Sequence, residues 1–438
     1  MSIPSPARPP AVALSAAFWY WLKLGCVSFG GPAGQIAMMH AELVERRRWI
    51  SEQRFLHALN YCMLLPGPEA TQLAIYIGWL LHKTRGGILA GVLFVLPSLL
   101  VLIALSWIYM AFGTLPVVTA VLYGIKPAIV AIVLAAAWRI GARTLRHAAL
   151  VAIAAAAFVA IGLLGLPFPL VVLGAAAIGA VGARVRPAWF QGGAARAGSP
   201  AAHRQALIDD TTPTPAHAHL SWARVARVAL AGCALGALAL AMLAWLAGPR
   251  SVFTQMGWFF TKAALLGFGG AYAVLPYVVQ GGVEHYHWLG MAQMIDGLAL
   301  GETTPGPLIM VNAFVGFAAL WNHPTGAGPA ASAIGGACVA TFFTFLPSFV
   351  FILAGGPLVE STRDDLRMTA PLTAISAAVV GVIASLALFF GQHVFLRAGQ
   401  PDPAALAIGA AALLALLRFR AGTIGLIAAC AAAGLVLS

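Results

Sequence analysis

Hydrophobic residues run along this chain in long blocks, and polar residues gather in the short gaps between them. Blocks at 86–112, 115–138, 148–166 and 169–183 predict membrane-spanning helices, the last being the shortest. Blocks at 224–247, 330–353, 372–390, 403–417 and 421–437 predict more. Two earlier blocks, 11–40 and 55–82, are different. Phe29-Gly30-Gly31-Pro32 interrupts the first near its middle, and Pro66-Gly67-Pro68 interrupts the second. The flanks of the second break are each too short for a bilayer, which needs ~20 helical residues. Backbone that leaves helical geometry at membrane depth must be buried in protein or line a polar cavity.

The pattern then repeats. Lys262 to Gly270 overlays Lys23 to Gly31 at an offset of 239 residues, placing Phe268-Gly269-Gly270 on Phe29-Gly30-Gly31. The same offset carries Trp49 to Trp288 and Pro66-Gly67-Pro68 to Pro305-Gly306-Pro307. Leu96-Pro97-Ser98 returns as Leu346-Pro347-Ser348 at an offset of 250. Internal duplication of this kind is a mark of secondary transporter folds. The division expected is a tail (1–10), a first repeat (11–183), a polar, flexible linker (184–222), a connector helix (223–248) and a second repeat (249–438). The fold class is an all-α polytopic membrane protein with two homologous halves in inverted topology and broken or re-entrant helices.

Composition agrees. The chain is 61% hydrophobic and only 9% charged, against about 25% charged in soluble domains. A soluble enzyme or a nucleic-acid binder is excluded. The net charge of +12 reads as arginine in loops that face anionic lipid. If both broken elements turn back as hairpins, Arg46-Arg47-Arg48 shares a face with Lys83, Arg85, Arg139, Arg143, Arg146, Arg184 and Arg186. The positive-inside rule then puts the N-terminus in the cytoplasm and, because the connector makes the number of crossings odd, the C-terminus in the periplasm. Cys26, Cys62, Cys233, Cys338 and Cys430 read as buried free thiols, and His203, His217 and His219 as solvated loop histidines.

The breaks also carry a resemblance. Phe29-Gly30-Gly31-Pro32-Ala33-Gly34-Gln35, Pro66-Gly67-Pro68-Glu69-Ala70-Thr71-Gln72 with Ile77-Gly78-Trp79, and Phe268-Gly269-Gly270-Ala271-Tyr272 resemble the chromate ion transporter (CHR) family in its long-chain two-domain form. The second Pro305-Gly306-Pro307 adds to the match. The resemblance implies chromate efflux through the bacterial inner membrane, driven by the proton motive force, with sulfate as a competing near-isostere. It implies no cofactor and leaves a homodimer open. The second half departs from the first where Ala271 replaces Pro32, Val274 replaces Gln35 and Leu308 replaces Glu69.

A tetrahedral dianion needs many hydrogen-bond donors and positive potential. Helix N-termini supply both. The candidate anion site is therefore the four breaks: Phe29, Gly30, Gly31 and Pro32; Pro66, Gly67 and Pro68; Gly269 and Gly270; and Pro305, Gly306 and Pro307. Lys23 and Lys262 each precede a Phe-Gly-Gly break by six residues, a rise of ~9 Å. Lys126 lies inside an apolar block, where an ionisable residue marks function by default. Gln35, Thr71, Gln72 and Asn312 offer polar side chains, with ordinary interhelical bonding as the alternative role. Glu69 and Glu302 flank the two Pro-Gly-Pro breaks, where a carboxyl that gives up and regains a proton would couple transport to protons. The plainer role for Glu69 is a first-turn acid. Asp296 reads as lying near a helix start, outside the path. No catalytic or metal-ligating set is expected. A sulfate importer and a membrane-embedded enzyme are the alternatives, the second weakened by the lack of HExxH, GxSxG or Walker A signatures.

Overall fold

The computed structural model describes residues 11–29, 31–190, 206–210, 212, 215–268, 270–326, 328–361, 369–397, 399–419 and 421–437. In the first half α1 (Leu14–Val27) is followed by α2 (Gly31–His40), which continues into a π-helical turn at Ala41–Arg46. Then come α3 (Glu52–Leu64), α4 (Glu69–Phe112), α5 (Pro116–Thr144), α6 (Ala148–Gly162) and α7 (Phe168–Val185). The connector is α8 (Trp222–Ala247). The second half contains α9 (Val252–Leu266) and α10 (Ala271–Val279), with a π turn at Gln280–His285, then α11 (Met291–Thr303). A 3-10 turn at Leu308–Met310 leads into α12 (Val311–Asn322), followed by α13 (Pro329–Ser361), α14 (Thr369–Phe395), α15 (Pro403–Arg418) and α16 (Thr423–Leu437). Among the described residues, six helices are long and apolar enough to cross a membrane.

The repeat extends to single dihedral angles. Positive φ occurs at Gly31 and Gly270, at Gly67 and Gly306, and at the non-glycine residues Arg48 and His287. Each pair obeys the offset of 239, as do the two π turns.

α4 is one helix only nominally. His82 and Lys83 leave helical geometry, and the arms 69–82 and 84–112 fold back on each other. Gly78 meets Gly86 and Ala90, and Gly91 meets Ile75, so the arms are antiparallel and their backbones nearly touch. In the second half Gly316 meets Gly336 and Ala340 in the same way, joining α12 to α13. The long arm of α4 then packs antiparallel to α13, with Gly87 against Leu353 and Gly91 against Phe349.

These contacts decide what the breaks are. His82 donates to the Val12 carbonyl (2.8 Å), Arg54 pairs with Glu360 (3.6 Å), and Trp79 lies against Gly356. So the starts of α1 and α3, the end of the 69–82 arm and the end of α13 share one face, here the N-terminal face. The chain enters along α3, turns at Pro66-Gly67-Pro68 and returns to the face it left. In the second half Asn322, at the end of α12, donates to the Trp288 carbonyl (3.1 Å) just before α11. That hairpin enters from the opposite face. The halves are inverted, and the Pro-Gly-Pro breaks are tips of re-entrant hairpins.

Part of the linker is ordered, where the sequence predicted a flexible stretch with solvated histidines. Leu207 and Ile208 donate backbone N–H groups to Arg48 (2.9 Å) and Trp49 (3.1 Å), and Ser51 N–H donates to the Ile208 carbonyl (3.0 Å). His217 donates to the Trp79 carbonyl (3.1 Å) and is not a free loop side chain. This strap lies across the N-terminal face; His203 falls outside the described residues. Among the cysteines, Cys62 and Cys430 are buried as expected, but Cys26, Cys233 and Cys338 lie on the outer surface of the helix bundle. All five are free thiols.

Candidate functional site

At the tips, two backbone hydrogen bonds cross between the halves. The Gly67 N–H donates to the Gly267 carbonyl (2.9 Å), and the Gly306 N–H donates to the Ser28 carbonyl (2.8 Å). They are one bond made twice, since both ends are related by the offset of 239. Each Pro-Gly-Pro tip thus seats on the Phe-Gly-Gly break of the other half. The 69–82 arm rises about 20 Å, so the tips lie near the middle of a bilayer of ~40–45 Å.

The surrounding side chains follow the same exchange. Ser348 of α13 lies against Gly67, and Ser98 of α4 against Gly306. Gln72 donates to the Pro66 carbonyl (2.7 Å) and reaches the Ser348 hydroxyl (3.4 Å). Gln35 donates to the carbonyls of Gly306 (2.5 Å) and Ser28 (3.4 Å). Both glutamines tie tips down through their amide N–H groups. Positive φ at Gly67 and Gly306 lets the tips turn inside this crowded space.

Four helical segments begin beside these bonds: α2 at Gly31, α4 at Glu69, α10 at Ala271 and the Leu308–Met310 turn leading into α12. No side chain caps Pro68, Gly270 or Pro307. First-turn N–H groups, with the positive ends of their dipoles, therefore lie at the two tip–break contacts. Polar atoms are also left over there. The Ser28, Thr71 and Ser98 hydroxyls and the side-chain carbonyl oxygens of Gln35, Gln72 and Asn312 are buried without a hydrogen-bond partner among the described residues. Native interiors rarely leave such groups unmatched, least of all at membrane depth. This is a buried polar cluster with unspent hydrogen-bonding capacity.

The other sequence candidates are placed as follows. Phe29, Pro32 and Pro305 are half-buried at the tips, and Pro66, Pro68 and Pro307 are buried. Asn312 donates to Thr344 (3.2 Å) in the first turn of α12. Gly30 and Gly269 lie outside the described residues. Glu69 is half-buried at the start of α4 with no hydrogen bond or ion pair among the described residues. Glu302 accepts from the Tyr272 hydroxyl (2.5 Å), with Arg139 close enough to act on its charge. Lys23 is exposed on α1, off the buried stripe of Ala17, Tyr20, Trp21 and Leu24. The Lys262 ammonium lies over the Trp258 ring (5.6 Å).

Lys126 does something else. It lines a cavity of about 700 Å³ open toward the opposite face, together with Tyr109, Tyr123, His393, Arg397 and Asp402. Its ammonium pairs with Asp296 (3.4 Å), whose other oxygen accepts from Tyr109 (2.9 Å). Asp296 therefore belongs to the cavity wall, which corrects its assignment to a mere helix start. At the mouth, Asp402 is held below the usual carboxylate range by the Ala405 N–H and then by the Tyr123 hydroxyl.

Residues 15–180 and 254–435 match the family described as chromate transporter, covering both halves and sparing the linker and the connector. The chain belongs to the chromate transporter family. Family relatives span nearly its whole length. It is 33% identical to a chromate transport protein of Pseudomonas aeruginosa over 88% of this chain and 83% of the relative. A chromate transport protein of Cupriavidus metallidurans is 29% identical over 88% and 84%. An uncharacterized transporter of Methanocaldococcus jannaschii is 26% identical over 85% and 83%. These relatives carry the names of transport proteins, not enzymes. No solved structure matches.

Sequence reasoning did not single out Ser28, Ser98 and Ser348 as site residues. The repeated Leu-Pro-Ser triplet was the available signal for two of them, since a serine after a mid-helix proline recurs at the same place in each half.

Proposed function

We propose that this chain exports chromate across the bacterial inner membrane, driven by the proton motive force, and so confers chromate resistance. The anion rests in a chamber between the four tips. The crossed bonds Gly67–Gly267 and Gly306–Ser28 carry this reading, because each brings a helix start of one half against the break of the other. First-turn N–H groups take the oxygens of the dianion, and the hydroxyls of Ser28, Thr71 and Ser98 supply further donors. No full cation need sit in the first contact, so the ion is held by dipoles and can leave. Lys126, in the lining of the cavity, meets the anion on its way out toward the opposite face.

The N-terminal face is the cytoplasmic one in this reading. Arg46, Arg47, Arg48, Arg54, Lys83 and Arg85 gather there, as the positive-inside rule asks of short cytoplasmic loops. The N-terminus is then cytoplasmic and the C-terminus periplasmic. Glu69 and Glu302, beside the two Pro-Gly-Pro tips, are the proton carriers. Sulfate competes because its charge and shape nearly equal those of chromate.

Radiolabelled chromate flux in proteoliposomes with an imposed pH gradient tests this. Gradient-driven chromate movement, reduced by excess sulfate, is expected; no flux under either gradient polarity overturns it. Glu69→Gln and Glu302→Gln should keep downhill flux and lose its response to the gradient. Undiminished coupling in both variants would remove the carboxylates from the mechanism.

A further inference from the structure

The inverted repeat places the same joint at both faces, and the two joints differ. Each links the outer arm of one half's second hairpin to the long helix of the other half. At the N-terminal face the joint is α3 against α13. There Arg54 Nη1 faces Glu360 Oε2 (3.6 Å), and His57 donates to the Val359 carbonyl (2.9 Å). At the opposite face it is α11 against α4. Gln293 donates to Met110 Sδ (3.7 Å), and Tyr109 donates to Asp296. These are the same positions. The offset of 239 carries Arg54 to Gln293 and His57 to Asp296, and the offset of 250 carries Tyr109 to Val359 and Met110 to Glu360.

One joint borders a cavity, and the other is closed over by side chains and the linker strap. Tyr109 and Asp296 line the 700 Å³ cavity at the opposite face. At the N-terminal face the Arg54 and Glu360 side chains are only 4% and 3% exposed. The Tyr76 hydroxyl donates to Glu360, and Arg54 Nη2 donates to the Thr212 carbonyl of the linker strap (2.5 Å). The two equivalent joints therefore differ: a cavity lies at the opposite face, and a buried ion pair under the strap lies at the N-terminal face. A buried ion pair of this kind holds only while both partners are present and dry: removing one leaves a buried charge that is best relieved by water.

We propose that Arg54 and Glu360 form the gate of the N-terminal face, a positioning pair that keeps the anion chamber shut on that side and parts when the chamber turns toward it. This rests on the transport reading above. The strap closes over the pair through Thr212, so the linker is part of the same gate.

A native cysteine reports on it. Arg54, Ala58 and Cys62 form one buried stripe of α3 at i, i+4, i+8, with Cys62 two turns deeper than the pair. Cys430 of α16 is buried elsewhere, packed against Gly124 of α5. In full-length protein with Cys26, Cys233 and Cys338 changed to serine, maleimide labelling of Cys62 and Cys430 is followed residue by residue. Glu360→Gln and Arg54→Gln should speed Cys62 labelling at least tenfold while Cys430 stays at its original rate. Glu360→Asp, which keeps the charge, should return Cys62 toward the slow rate. Cys62 labelling unchanged in both neutral variants, rising only in step with Cys430, or left fast by Glu360→Asp would overturn the gate. Labelling needs no anion, so its failure is distinct from a failure of chromate flux.

Discussion

Gly67 and Gly306 have φ of +117° and +105°, and a Cβ on either would press on a serine of the other half. Backbone in that region costs a non-glycine residue on the order of 1–3 kcal/mol. The steric conflict adds to it. Gly67→Ala and Gly306→Ala should each lower the melting temperature of purified protein and cut chromate flux at least tenfold. Wild-type flux in both would mean that the tips tolerate displacement and do not set the anion's position. At this scale the sequence was readable where a residue has few substitutes. Glycine and proline inside apolar blocks marked all four breaks. Serine was not readable that way: Ser28 and Ser98 look like ordinary helix-packing residues until the Gly306 tip of the other half arrives beside them. Lys23 stood out by charge and spacing, but charge does not tell which side of a helix a residue occupies. The buried stripe Ala17, Tyr20, Trp21, Leu24 gives that phase, and Lys23 falls off it.

The hairpins depend on glycine at close helix crossings. Gly78 against Gly86 and Gly316 against Gly336 bring backbones together where a Cβ would strike a carbonyl of the facing arm. Gly86→Val should spread the α4 arms and lift Pro66-Gly67-Pro68 away from Gly267. The expected result is a loss of several degrees in melting temperature together with most of the flux. Valine tolerated without loss of either would show that the arms do not need this contact. Element boundaries were largely legible from hydropathy, including the short 69–82 arm. The ordered strap was less so. Its pairing with Arg48, Trp49 and Ser51 is made by backbone groups, and a composition rich in alanine, proline and glycine does not announce it.

The whole molecule is a pair of inverted halves that exchange their tips. The offset of 239 predicted the duplication and the single connector helix predicted the inversion, because both can be counted along the sequence. The exchange itself was out of reach. It consists of contacts between residues far apart in the chain, such as Gln35 with Gly306 and Gln72 with Ser348. The Arg54–Glu360 and Lys126–Asp296 pairs are likewise made between the two halves. The proposed function rests on this exchange, since each tip meets a break of the other half. The central claim is therefore positional. Anomalous scattering from chromium in crystals grown with chromate tests it most directly. The account predicts a peak between the helix starts at Gly31, Glu69, Ala271 and Leu308, beside Ser28 and Ser98. A peak confined to the Lys126 cavity, with none between the tips, would contradict it.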